Sequence, residues 1–300
     1  MLKKDKSNIL FIGLGMMGQP MALRLIQAQY PVFVHDANQE TVKNYCNKID
    51  AKVLLPSEDL SLIDVVITML PDSEIVEDVI LGVDYFPGIA SKLKPGSVII
   101  DMSSAEPMRS RALGASLKKM DLIYLDAPVS GGVRRAIDGS LSIMVGGYPE
   151  TFADVKPILE NFGKNVFYVG EPGSGHAMKA LNNYLSAITT LSVAEALIIG
   201  KRFGLDPNKM VDVFNSATGK SNATENKAKQ FMLSGTFGAG FTAKLMVKDI
   251  TIAIQLGSAL NSSMELGEAS MDAWRNALKF LGSDEDHTAI YRYVEQNYRA

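Results

Sequence analysis

The sequence has one cysteine, Cys46, so no disulfide can form within the chain. That suits a reducing compartment. Cys46 lies in the polar stretch 40–48 and is read as a helix residue rather than a nucleophile. Concentrated charge is also lacking. The net charge is −3, and the only adjacent basic pairs are Lys3-Lys4, Lys118-Lys119, Arg134-Arg135 and Lys201-Arg202. Nucleic-acid binding needs a basic face that releases counterions, so no nucleic-acid partner is expected. The third absence is a long apolar run. Residues 1–8 carry charge, but the run that follows, 9–14, is broken by Gly13 and is too short for a signal-peptide core or a membrane span. A cytoplasmic protein without a membrane partner is the expectation, and no metal-ligating set is read.

What is present is a globular composition. Apolar residues make up 47% and charged residues 21% of 300, enough for one large or two ordinary domains. Short apolar runs at 9–12, 32–35, 65–70, 98–100, 123–125, 141–145 and 166–169 alternate with helix-like segments such as 17–29 and 108–120. Several runs are apolar at nearly every position, as strands covered on both faces are. Strand and helix in alternation predict a parallel sheet with helices on both sides. The run at 141–145 follows the turn signal Asp138-Gly139 closely and is predicted to be antiparallel to a neighbour.

After residue 169 the β-branched runs stop. A loop at 171–175 leads into a long helical pattern, 176–203, with further helices expected at 206–215, 225–233, 242–260, 264–281 and 288–297. Asp206 before Pro207 is a helix start, with an N-cap carboxylate and proline at the first helical position. The predicted architecture is an α/β Rossmann-type domain, 1–169, and an all-α domain, 170–300, joined by a long helix.

Gly13-Leu14-Gly15-Met16-Met17-Gly18 has the form G-x-G-x-x-G, follows a predicted strand and opens a predicted helix. In that context it reads as a dinucleotide loop. Gly13 permits the tight turn, Gly15 lets a pyrophosphate approach the backbone, and Gly18 lets helix and strand pack closely. Asp36 ends the second strand, eighteen residues after Gly18. A carboxylate there accepts hydrogen bonds from ribose hydroxyls and repels a 2′-phosphate, so NAD is favoured over NADP. His35 is read as a strand-end residue.

Lys179 opens a stretch with no other charge before Glu195, although Leu181, Leu185, Ile188 and Leu191 mark the helix as largely buried. Burial lowers an ammonium's pKa, and Asn183 lies one turn on, on the same face. The pair suits general acid/base work on a hydroxyl oxygen. A lysine snorkelling to water from the first helical turn is the other reading of the pattern. The loop Asp126-Ala127-Pro128-Val129-Ser130-Gly131-Gly132 follows a strand. It reads either as a nest in which Ser130, Gly131 and Gly132 offer a hydroxyl and N–H groups to a carboxylate, or as a tight loop with no ligand.

Together these segments resemble the β-hydroxyacid dehydrogenase family, of the 3-hydroxyisobutyrate dehydrogenase and tartronate semialdehyde reductase type. The resemblance rests on 11–22 as the cofactor signature, 126–132 as the substrate segment, 173–183 as G-x-G-x-x-x-K-x-x-x-N, and 241–249. It implies that Lys179 is the acid/base, that Ser130, Gly131 and Gly132 hold a substrate carboxylate, and that Asn183 holds a hydroxyl. It also implies that Leu70, Pro71 and Ser104 line the cofactor and that Lys248, beside Asp249, lies near the nicotinamide. Without the resemblance, Lys248-Asp249 reads as a surface pair.

The implied substrate is a small carboxylate-bearing 3-hydroxy acid or semialdehyde, and the implied assembly is a homodimer or homotetramer. Residues 216–229 and the arginines Arg134 and Arg135 depart from the 3-hydroxyisobutyrate pattern, which leaves the substrate open. A non-catalytic dinucleotide-binding assembly protein is the alternative from another class, and imine reduction is a third reading. The presence of Lys179, Asn183 and the 126–132 loop argues against the first, and the lysine at position 179 against the second.

Overall fold

The computed structural model describes residues 7–47, 49, 52–53, 59–83 and 86–297. Residues 1–6 and Lys48, over which the sequence reading extends, lie outside the described residues. The chain forms two compact units, 1–179 and 180–300.

The first unit opens with β1 (Ile9–Ile12), α1 (Gly18–Gln27), β2 (Val32–His35), α2 (Gln39–Cys46) and β3 (Lys52–Val53). It continues with β4 (Val65–Thr68), α3 (Ser73–Leu81), a short hairpin of β5 (Gly82–Val83) and β6 (Phe86–Pro87), then β7 (Val98–Asp101) and α4 (Pro107–Lys118). The remainder is β8 (Ile123–Asp126), β9 (Val129–Ser130), α5 (Gly132–Asp138), β10 (Ser142–Gly146), α6 (Pro149–Leu159) and β11 (Asn165–Gly170).

The main sheet has the order β11-β10-β8-β7-β4-β1-β2-β3, with β9 paired to β10. Strands β3, β2, β1, β4, β7 and β8 run parallel. As the turn at Asp138-Gly139 predicts, β10 is antiparallel to β8 and β9; β11 then runs parallel to β10. The two-sided cover read from the apolar runs is explicit. Ile9, Phe11, Val65 and Ile67 enter one core, and Leu10, Ile12 and Val66 enter the other, because side chains alternate across a strand. The chain leaves β1 in one direction for β2 and β3, then returns to its other side for β4. The carboxyl ends of β1 and β4 therefore flank a switch point in strand order, the place where open parallel sheets bind ligands.

The long helix α7 (Ser174–Phe203) follows. By length and hydropathy it is long and apolar enough to cross a membrane. Its Ala187, Val193, Ala194, Leu197 and Ile198 nevertheless sit in the core of the second unit, as a core helix requires.

That unit adds α8 (Pro207–Ser216), a π-helix (Thr224–Leu233), α9 (Ala243–Ala259), α10 (Glu265–Leu281), a 3₁₀ turn (His287–Ala289) and α11 (Ile290–Asn297). The Asp206-Pro207 start holds: the Asp206 carboxylate accepts the Asn208 N–H, and Pro207 is the first helical residue. The segment expected as an ordinary helix at 225–233 is wound wider over its whole length, a form concentrated at functional sites. Trp274, fully buried, centres the core among Leu197, Val211, Met246, Ile250, Met271 and Tyr291.

Candidate active site

The glycine loop emerges from the carboxyl end of β1 and enters α1. Its three glycines have three different reasons. Gly13 has φ +102°, and a Cβ there would meet the Met69 carbonyl at 2.3 Å. A Cβ on Gly18 would meet the Gly13 carbonyl at 1.8 Å, so helix and loop are in backbone contact. A Cβ on Gly15 would meet nothing within 4 Å. The middle glycine faces open space at the N-terminal end of a helix, as a cradle for a pyrophosphate requires.

Leu14 is buried, Met17 is half-buried and Met16 is 80% exposed at the tip of the loop. Asp36, at the end of β2, accepts the Leu14 N–H (2.7 Å) through Oδ2 and the Asn38 N–H (2.8 Å) through Oδ1. The acidic residue is thus anchored to the glycine loop itself. Burial holds the pKa of His35 below its ordinary value, against the opposing charge of Asp36.

The carboxyl ends of β4 and β7 add Leu70, half-buried, Pro71, exposed, and Ser104, half-buried. The neighbouring Ser103 is fully buried, and its Oγ accepts the Leu70 N–H at 2.9 Å, tying the two loops together. Beyond β8, Ser130 pairs with Ser142 in the antiparallel β9–β10 ladder. Gly131 and Gly132 both have positive φ, +135° and +71°, which turns the chain sharply from β9 into α5. So the predicted residues of the first unit, except Lys179, stand in the segments that leave the carboxyl ends of β1, β2, β4 and β7 or follow β8.

Lys179 lies in the first turns of α7 and is 8% exposed. In the second unit Asn183, one turn along the same helix, is also buried. Its Nδ2 donates to Asp249 Oδ2 on α9 (2.5 Å), and its Oδ1 accepts from Asn182 Nδ2 (3.0 Å). Asp249, which the sequence alone reads as a surface residue, is therefore a buried anchor for the Asn183 amide. Lys248, its neighbour, is half-buried.

Sequence reasoning did not single out a buried polar cluster at the ends of three strands. Asp101, ending β7, accepts from Thr68 Oγ1 (2.9 Å), the Ser103 N–H (3.0 Å) and Tyr124 Oη (3.4 Å). Burial raises the Tyr124 pKa well above its ordinary value, and the carboxylates of Asp101 and Asp126 add to the effect. His176 bridges the cluster to α7 through Ser110 Oγ at 2.7 Å and the Ser103 carbonyl at 3.1 Å. A carbonyl can only accept, so Nε2 donates, and in the neutral ring Nδ1 accepts the Ser110 hydroxyl. One signal in the sequence pointed to this cluster: Thr68, Asp101 and Asp126 each end an otherwise apolar strand.

A buried lysine, a glycine cradle and an acidic strand end can bind a dinucleotide and exchange one proton. Comparison with known proteins bears on the dinucleotide and the family. Residues 8–170 match a family model described as the NAD binding domain of 6-phosphogluconate dehydrogenase. Residues 173–294 match one described as the NAD-binding domain of NADP-dependent 3-hydroxyisobutyrate dehydrogenase. The mitochondrial 3-hydroxyisobutyrate dehydrogenase of Mus musculus is 34% identical over 298 residues, covering 97% of this chain and 88% of its own length. The 2-(hydroxymethyl)glutarate dehydrogenase of Eubacterium barkeri is 33% identical, covering 95% and 94%. A structure of Mycobacterium tuberculosis 3-hydroxyisobutyrate dehydrogenase with L-serine aligns at a TM-score of 0.89 and 28% identity, over 98% of this chain and 100% of that one.

Proposed function

The chain belongs to the β-hydroxyacid dehydrogenase family and is an NAD(P)-dependent hydroxy acid dehydrogenase, and we propose that it interconverts a small 3-hydroxy acid and its semialdehyde with Lys179 as acid/base. The observation that carries this reading is Lys179 itself. A lysine 8% exposed near the start of a helix with no further charge before Glu195 is costly to bury unless a function or a partner holds it there, and its place in the G-x-G-x-x-x-K-x-x-x-N segment supports the function.

The nicotinamide, when bound, supplies or takes the hydride. In the reducing direction Lys179 gives a proton from Nζ to the carbonyl oxygen. In the oxidising direction it takes the proton from the hydroxyl. Asn183, its amide oriented by Asp249, holds that same oxygen. Ser130 and the N–H groups of Gly131 and Gly132 hold the substrate carboxylate. Gly13 to Gly18 take the pyrophosphate, Asp36 takes the ribose hydroxyls and favours NAD over NADP, and Leu70, Pro71, Ser104 and Lys248 complete the cofactor's surroundings. Residues 1–169 then hold most of the cofactor and the substrate carboxylate, and 170–300 supply Lys179, Asn183, Lys248 and the assembly surface. A homodimer or homotetramer is supported by Ile199, Phe203, Leu205 and Val213, which are 63%, 85%, 49% and 59% exposed around the end of α7 and on α8.

The test is NAD(H)- and NADP(H)-linked turnover on 3-hydroxyisobutyrate, tartronate semialdehyde, succinic semialdehyde, glyoxylate, D-glycerate, serine and threonate, for the wild type and Lys179→Ala. We expect turnover on a member of this set with NAD preferred. We expect Lys179→Ala to bind NADH normally and lose about 10²–10⁴-fold in kcat. Near-normal turnover of that variant would remove the lysine from the mechanism.

A further inference from the structure

The structure assigns Asp126 a positioning role: it fixes the first turn of the helix that carries Lys179. Asp126 ends β8 and is fully buried. Both its oxygens are taken by the start of α7. Oδ1 accepts the Gly173 N–H and Oδ2 the His176 N–H, each at 2.7 Å. These are two of the donors that a helix start leaves without partners inside the helix, and a carboxylate placed on them also meets the positive end of the helix dipole. Charge-assisted bonds of this kind are short and about twice as strong as neutral ones.

The surroundings are built to keep the carboxylate there. A Cβ on Gly146 would lie 2.5 Å from Asp126 Oδ1, and one on Gly175 would lie 2.9 Å from Oδ2 and 2.4 Å from the Met144 carbonyl. Strand β10 and the start of α7 therefore close on Asp126 as bare backbone, and no space remains for a substrate to reach it. The next contact fixes the same turn from its side chain. The His176 ring, held by Ser110 and the Ser103 carbonyl, is three residues before Lys179 and so on the same face of the helix. The helix is thus held at two points immediately before the lysine, through its backbone by Asp126 at the end of β8 and through the His176 ring by Ser110 on α4 and the Ser103 carbonyl after β7. Asp126 touches neither substrate nor cofactor in this scheme. It acts through Lys179, and the inference rests on Lys179 being the acid/base.

The test is a double-mutant cycle of Asp126→Asn with Lys179→Ala, with kcat, KM and the NADH Kd measured for each protein. Asn keeps the shape but presents an NH₂ group to one of two N–H donors. Displacing a reacting group by about 1 Å costs about 100-fold, so Asp126→Asn should lose roughly 10–100-fold in kcat with KM and the NADH Kd nearly unchanged. In the Lys179→Ala background the same change should alter the residual single-turnover rate by no more than about twofold, because a positioning residue has nothing left to position. Three outcomes overturn the inference. These are a kcat within about twofold of wild type, an equal loss in the presence and absence of Lys179, and a loss confined to KM or the NADH Kd. Normal turnover by Lys179→Ala alone is a different result and rejects the lysine reading beneath it. If Asp126→Asn does not fold, Ser110→Ala carries the same cycle by removing one of the two holds on the His176 ring. A several-fold loss of kcat that depends on Lys179 supports the inference, and a loss of equal size in the absence of Lys179 overturns it.

Discussion

Lys227 makes a prediction whose sign depends on pH. It lies on the π-helix in the segment that departs from the 3-hydroxyisobutyrate pattern, and its ammonium donates to Ser186 Oγ (2.9 Å) and Thr190 Oγ1 (3.1 Å) on α7. The side chain as a whole is half-buried, but the ammonium sits inside. Burial lowers its pKa from 10.5 to about 8, against the favourable charge of Asp286. Nearby His287 is pushed down to about 4, first by burial and then by the Lys227 charge.

Below pH 8 the lysine is charged in both states, and the folded state bears the desolvation, worth about 3 kcal/mol at 1.36 kcal/mol per pKa unit and about 2 after allowing for residual solvent access. Between pH 8 and 10.5 the unfolded chain holds the extra proton, so stability rises with pH and the penalty is gone at the upper end. Lys227→Met removes the penalty and leaves the Ser186 and Thr190 hydroxyls without their donor, a combined loss of about 1 kcal/mol. The variant should therefore be about 1 kcal/mol more stable than wild type at pH 7 and about 1 kcal/mol less stable near pH 10. His287 is neutral in both proteins across that range and cancels.

Urea unfolding followed by fluorescence is the assay. The only tryptophan, Trp274, lies in the core of residues 180–300 and so reports on the unit that holds Lys227. Stability curves for variant and wild type that stay parallel from pH 7 to pH 10 would refute the desolvation of this ammonium.

Two further predictions concern the cores and the cradle. Gly18→Ala places a methyl against the Gly13 carbonyl, which has to move. Overpacking of this order costs about 1–3 kcal/mol, so the NADH Kd by titration calorimetry should rise roughly 10–100-fold while far-UV circular dichroism stays native. Trp274→Ala should lose about 3–5 kcal/mol by far-UV circular dichroism melts. Trp274→Phe should lose much less, because it keeps the ring bulk and removes an indole N–H that has no hydrogen-bond partner. Equal losses in the two variants would show that bulk is not what this site needs.

Where the signal is local, the sequence determined the result. Strands buried on both faces must be apolar at successive positions, so β1 could be bounded to the residue and β4, β7, β8 and β10 to within about two residues, while the partly exposed β2 and β11 stood out by their apolar runs alone. A dinucleotide cradle needs glycines at fixed spacing for backbone reasons alone, so Gly13, Gly15 and Gly18 could be given separate tasks before any coordinates, and each glycine's surroundings suit its task. The helix start at Asp206-Pro207 was legible because a cap is a contact between near neighbours.

What depends on residues distant in the chain was not legible. The π-helical winding of Thr224–Leu233 has no distinct periodicity in the sequence, and Lys227 meets Ser186 and Thr190 across sequence separations of 41 and 37. The same holds for Asp249 with Asn183, and for Asp126 with Gly173 and His176. In each, a carboxylate to which the sequence alone gives no partner is buried and hydrogen-bonded in three dimensions. A motif records which groups the chemistry needs. Only the packed strand ends and helix starts decide which of them face a ligand and which hold the others still.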